Sequence, residues 1–238
     1  MSKQRFIFPV ALALALIIGS AGFGFSKESA TDERDRAVKA ADVLNEVMQQ
    51  SDNGIPTDLM ERAHAVAVFP HVVKGAFGIG GEYGKGIVSE RMANGRWSAP
   101  SFLKIGGGSF GFQIGASATD LVLIFTDKEG FKGLLDGKVK LGADAAVAAG
   151  PVGRNAQVSS DVLLKSPVFA YSRSKGLFAG IALDGAVVSI DDSANTKAYG
   201  SEHAAKDILL NGAVHPNDVV MPYVQALDKW SPMHKHTD

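Results

Sequence analysis

Residues Val72–Asp120 read VVKGAFGIGGEYGKGIVSERMANGRWSAPSFLKIGGGSFGFQIGASATD, with glycine recurring through alternating apolar runs. Glycine inside a strand costs stability, because it loses backbone entropy and offers no side chain to pack. Such density is tolerated where backbones or a ligand approach closely, or where a sheet bends sharply. The stretch therefore predicts a strongly curved, tightly packed β structure. Phe110, Phe112, Ile114 and Ala116 alternate with Gly111, Gln113, Gly115 and Ser117, giving one bulky and one nearly bare face. Asn94-Gly95 is a hairpin signal between two such runs.

Outward from this block the pattern changes. Ala37, Ala40, Ala41, Leu44, Val47 and Met48 recur at helical spacing and predict a helix over 26–50, closed by Ser51-Asp-Asn-Gly54. A short helix follows from Pro56-Thr57, then a strand over Ala65–Phe69 that Pro70 ends. Leu121–Phe125 reads as a buried strand, Lys128–Gly137 as a short helix, and Lys138–Val152 as strand. Phe169–Arg173 and Leu177–Ile190 read as two strands joined near Ser174–Gly176. Helices near Ser201–Leu210 and Asn217–Lys229 close the chain, and 231–238 reads as a frayed tail. The fold class is α+β: one domain, residues 27–230, with a Gly-rich antiparallel sheet curved toward a barrel and packed by N- and C-terminal helices.

The first 26 residues read as a secretory signal peptide. Lys3 and Arg5 precede the apolar run Phe6–Ile18, and Gly19-Ser-Ala-Gly22 supplies small residues for cleavage after Ala21, with a site near Ser26 as the alternative. Export to the periplasm or cell envelope is the expectation. Without residues 1–26 the chain carries 22 basic and 25 acidic residues, a net charge of −3. That balance gives no footprint for nucleic acid. There are no cysteines, so stability must come from the core.

Two motifs carry possible chemistry. Gly107-Gly-Ser109-Phe-Gly111 matches a nucleophile elbow, with Asp184, Asp191 or Asp192 and then His203 or His215 in hydrolase order; an alternating strand follows where a helix is required. Gly106-x-Gly108-x-x-Gly111 matches a dinucleotide fingerprint and lacks the same helix. Catalysis, metal and cofactor are not expected. The histidines lack metal-ligand spacing, and Asp191-Asp192 reads as a turn. Charged residues stranded among small and apolar neighbours are more informative: Lys74, Glu82, Lys85, Lys104, Asp120, Asp144, Arg154 and Arg173. They form either a solvated face with internal ion pairs or a rim whose cations hold an anionic headgroup.

The central block resembles the SYLF-domain family. The matching stretches include Ala65-Val-Ala-Val-Phe-Pro-x-Val-Val-Lys74, Gly80-Gly-x-Tyr-Gly-x-Gly86, Trp97-Ser-x-Pro-Ser-Phe102, Gly106-Gly-Gly-Ser-Phe-Gly111, Lys140-Leu-Gly-Ala-Asp-Ala145 and Ala149-Gly-Pro-Val-Gly-Arg154, across roughly Asp32–Leu210. The resemblance implies phospholipid binding without catalysis, and in eukaryotic members phosphoinositide and actin contacts. Here Arg34, Arg36 and Lys39 are interleaved with Asp32, Glu33, Asp35, Asp42 and Glu46, which departs from a basic N-terminal segment. The expected partner is a phospholipid membrane surface, contacted by Lys74, Lys85, Lys104, Arg154 and Arg173, with Tyr83 at the interface. A hydrolase built on Ser109 and a protein-binding envelope module are the alternatives.

Overall fold

The computed structural model describes residues 30–77, 79–109, 115–153, 166–174, 177–181, 183 and 185–231. Helices α1 (Thr31–Gln49) and α2 (Thr57–Glu61) lead into the long strands β1 (Ala65–Phe77), β2 (Ile79–Glu90), β3 (Ser101–Ser109) and β4 (Gly115–Phe125). Then come α3 (Lys128–Leu135), β5 (Lys138–Lys140), β6 (Val147–Ala149), β7 (Val168–Ser174), β8 (Leu177–Gly180) and β9 (Val187–Ile190). Helices α4 (Asp192–Tyr199), α5 (Ala205–Leu209) and α6 (Met221–Trp230) complete the described chain.

The strands form one strongly curled sheet, a half-barrel, in the order β5-β9-β3-β2-β1-β4-β7-β6, with β8 also on β7. Its pairings are antiparallel except β6 with β7, which makes the sheet mixed. Period-two alternation splits its side chains between two cores. Val66, Val68, Ile87, Phe102, Val122, Ile124, Phe169 and Tyr171 face α1, α2, α4 and α6. Ala65, Ala67, Phe69, Val88, Leu103, Leu123 and Phe125 face α3 and α5. Gly86 stands where the ring of Phe69 crosses the sheet; a Cβ there would lie 2.4 Å from that ring.

Four expectations are corrected. Pro70 does not end β1. One extra residue at Pro70-His71 makes a bulge, since Phe69 pairs with Leu121 but Val72 with Thr119. His71 takes the left-handed φ of 64° there, and its N–H is held by Asp120 Oδ1 at 2.9 Å. The stretch 177–190 is two strands rather than one: β8 pairs with β7, whereas β9 lies across the sheet between β3 and β5. Asp191 is no turn residue but the N-cap of α4, its side chain accepting from the Ala194 N–H. Ser231, expected in the tail, is fully buried.

Ser231 locks the C-terminus. Its hydroxyl donates to Met60 O at 2.6 Å and accepts from Arg91, while its carbonyl accepts from Trp97 Nε1 at 3.2 Å. Ser231→Ala leaves buried polar groups without partners and is expected to cost about 1–3 kcal/mol. A urea midpoint checks this; an unchanged midpoint would show that the lock contributes nothing.

Candidate functional site

The face of the sheet toward α1 is only partly covered. Beyond the residues under the helices, the next level across five adjacent strands is a row of polar groups. Lys104 of β3 pairs with Lys85 of β2, the β1 bulge follows, and Asp120 of β4 pairs with Arg173 of β7. Parity puts these side chains on the α1 face, two residues from Phe102, Ile87, Val122 and Tyr171. Helix α1 crosses above the row. Its buried face is Ala37, Ala40, Ala41, Leu44, Val47 and Met48; its outer stripe is Asp32, Asp35, Lys39, Asp42 and Glu46, all exposed. That stripe spans about 21 Å at 1.5 Å per residue. Five strands span about 19 Å, so helix and row run the same length.

Between them lies a cleft of about 670 Å³, lined by that stripe with Arg36 and Val43 on the helix side and by Pro70, His71, Lys85, Asp120 and Arg173 on the sheet side. Ionic clamps close both ends. At one, buried Asp191 binds Arg36 at 3.3 Å and Lys104 at 2.9 Å. Burial alone would push the Asp191 carboxyl up; the Lys104 hydrogen bond and charge, the Ala194 amide and Arg36 together hold it below the ordinary carboxylate range. At the other end Arg173 meets Asp120 at 2.5 Å and also pairs with Glu46, with its guanidinium over the Phe178 ring.

The next level of the same face is apolar and uncovered. Gly106, Tyr83, Val73 and Ala118 stand side by side on β3, β2, β1 and β4. Tyr83 is 52% and Val73 44% exposed, large values for cross-strand neighbours of this size. The β1–β2 hairpin continues past them to its closing pair, Phe77 and Ile79.

The structure thus gathers Lys85 and Arg173 into one cleft, with Lys104 beside Lys85 and Tyr83 two residues further along the same face. Lys74 points to the opposite face, where it pairs with Glu82 at 3.0 Å. Arg154 lies outside the described residues. Of the described cations singled out from sequence, Lys74, Lys104 and Arg173 are in ion pairs, and Lys85 makes none among the described residues. Sequence reasoning missed Val73, the bulge at His71 and the acidic wall of α1. The spacing 32, 35, 42 and 46 marks that wall as a single stripe, and it could have been read.

Ser109 is the last residue of β3, paired with Gly80, and five residues separate it from β4. That is too few for the helix of several turns that a nucleophile elbow or dinucleotide site requires after its last glycine. Of the proposed partners, Asp191 is engaged by Arg36 and Lys104, His203 bonds Ser201 Oγ at 2.8 Å, and Asp184 lies outside the described residues. Among the described residues no group of His, Asp and Glu could hold a metal ion, and no helix is long and apolar enough to cross a membrane.

A half-barrel domain whose site is a charged cleft beside an uncovered apolar row has the features of a binding domain. Its sequence agrees: residues 106–230 match the profile of the Ysc84 family, described as Las17-binding protein actin regulator. The chain belongs to this family, whose domain is the SYLF domain. It is 34% identical over 198 residues to LAS seventeen-binding protein 3 of Saccharomyces cerevisiae, covering 80% of this chain and 43% of that one. To SH3 domain-containing YSC84-like protein 1 it is 36% identical in Rattus norvegicus and 35% in Homo sapiens, over 189 residues, 77% of this chain and 55% of those. The chain spans about half the length of these relatives.

Proposed function

We propose that this chain is a non-enzymatic phospholipid-binding protein of the periplasm or cell envelope, exported by its N-terminal segment. The observation that carries this reading is the exposed Val73–Tyr83 pair on an uncovered sheet face, with Lys85, which makes no ion pair among the described residues, next to it. An apolar row rimmed by polar groups suits the interface of a bilayer: Val73 and the ring of Tyr83 enter the acyl boundary while the Tyr83 hydroxyl stays at headgroup level. Lys85 supplies a cation to phosphate. Attraction to anionic lipid is weak on this face, because Lys104 and Arg173 are held in ion pairs and α1 presents carboxylates. Binding is therefore chiefly apolar, and it persists in salt.

Val73→Ser combined with Tyr83→Ser removes the apolar row without touching the core. It is expected to weaken vesicle binding about tenfold or more, from the apolar area lost to the bilayer. Co-sedimentation with liposomes reads it, with the urea midpoint as the fold control. Unchanged binding by a folded double variant would end the assignment of this face. The second reading is a protein-binding module, supported by the names of the relatives, which denote binding to LAS seventeen and the presence of SH3 domains. It would show as a partner retained from envelope extracts with no vesicle binding.

A further inference from the structure

The geometry points to a zwitterionic headgroup bearing a primary amine, that of a phosphatidylethanolamine, as the ligand of the cleft between α1 and the sheet. This rests on the phospholipid reading above and adds which headgroup the bound surface presents.

The charges facing a headgroup follow from removing the pairs. Arg36 and Lys104 share the one carboxylate of Asp191, leaving a net positive clamp at the Lys85 end, and Arg173 is shared by Asp120 and Glu46, leaving a net negative one at the other; together the two cancel. Among the described residues this leaves Asp32, Asp35 and Asp42 on the α1 wall, with Lys39 between them, and Lys85 on the sheet. The two sides therefore differ in sign: the wall is net acidic and the floor holds one cation. Lys85 shares its strand and face with Tyr83, two residues closer to the uncovered row. A lipid whose acyl region meets Tyr83 and Val73 thus brings its phosphate to Lys85 before its terminal group reaches α1.

Each class of headgroup fares differently there. A purely anionic one gains Lys85 and meets a wall of three carboxylates against the one cation of Lys39. A phosphocholine satisfies the signs, but its quaternary ammonium has no N–H to donate, and among the described residues no Trp, Tyr or Phe lines the cleft to hold it by cation–π contact. A primary ammonium carries three N–H donors, which the aspartates of the wall accept as charge-assisted hydrogen bonds. The phosphoethanolamine headgroup is the one of the three that satisfies both sides.

The test is co-sedimentation of the chain from Lys27, which keeps every described residue and removes the apolar run Phe6–Ile18. Three vesicle sets are compared: phosphatidylcholine alone, and phosphatidylcholine mixed with phosphatidylethanolamine or with phosphatidylglycerol. The ethanolamine set is expected to bind about three- to tenfold more tightly than choline alone, the scale of one or two charge-assisted bonds. Phosphatidylglycerol should give no gain. Asp35→Asn with Asp42→Asn, both exposed, should abolish the ethanolamine preference, bringing ethanolamine and choline vesicles to the same affinity, with the urea midpoint as the fold control. Equal binding to ethanolamine and choline vesicles, a preference for glycerol, or a preference that survives the double variant would overturn the assignment while leaving the bilayer reading intact. Soluble glycerophosphoethanolamine separates the sources: weak competition is expected, whereas calorimetric binding as tight as to vesicles would make the ligand a free phosphoamine. Absence of binding to any vesicle would overturn both readings.

Discussion

Asp191→Ala is expected to destabilise the domain by about 3–5 kcal/mol, the usual cost of breaking a buried pair by removing one partner. Asp191 is 3% exposed and Arg36 7%, so the substitution leaves an uncompensated guanidinium under α1. It also releases Lys104 and strips the N-cap from α4, whose Ala194 amide then has no acceptor. Lys104→Ala removes the exposed member alone and should cost under about 1 kcal/mol. Because the Asp191 carboxyl is held below its ordinary range, its contribution is complete above the unfolded value of about 3.9 and is lost as pH falls through the lower, folded value. The wild type should therefore lose stability below about pH 4, and Asp191→Asn should flatten that part of the profile. Urea unfolding across pH reads both effects. A fully stable Asp191→Ala variant would show that the clamp is not needed to seat α1.

Gly150→Ala is expected to be about as damaging, at about 3 kcal/mol or more. A Cβ at Gly150 would lie 2.1 Å from Tyr171 Cζ and 2.4 Å from its hydroxyl. Tyr171 cannot step aside easily: it is fully buried and its hydroxyl donates to Pro151 O at 2.8 Å. Gly180 closes the other side, since a Cβ there would lie 2.1 Å from Gly150 O. This is where β7 exchanges its parallel neighbour β6 for the antiparallel β8, and the backbones come too close for any side chain. Pairing Gly150→Ala with Tyr171→Leu removes the ring tip and should recover part of the loss, giving a coupling term of opposite sign in a double-mutant cycle. A single variant within about 1 kcal/mol of wild type would contradict the close approach.

What could be read from the sequence was what is local. The period of Ala37, Ala40, Ala41, Leu44, Val47 and Met48 marks the buried face of α1, and alternation marks both faces of the long strands. Pro70 misled because a proline that ends a strand and one that sits in a bulge look alike; the difference lies in the Asp120 carboxylate holding the His71 amide from 49 residues away. The run Leu177–Ile190 gives no local sign that its ends pair on different sides of the half-barrel. The charges were conspicuous, but their meaning was not: Lys104 reads as free until Asp191 folds beneath it, and α1 becomes a wall only once the row from Lys85 to Arg173 lies beside it.

The most direct test of the central claim is liposome co-sedimentation of the chain from Lys27 across a salt series, alongside Val73→Ser/Tyr83→Ser. Vesicle binding should survive high salt and fall about tenfold or more in the double variant. Binding that vanishes with salt and rises with anionic lipid, or no binding to any vesicle, would contradict it.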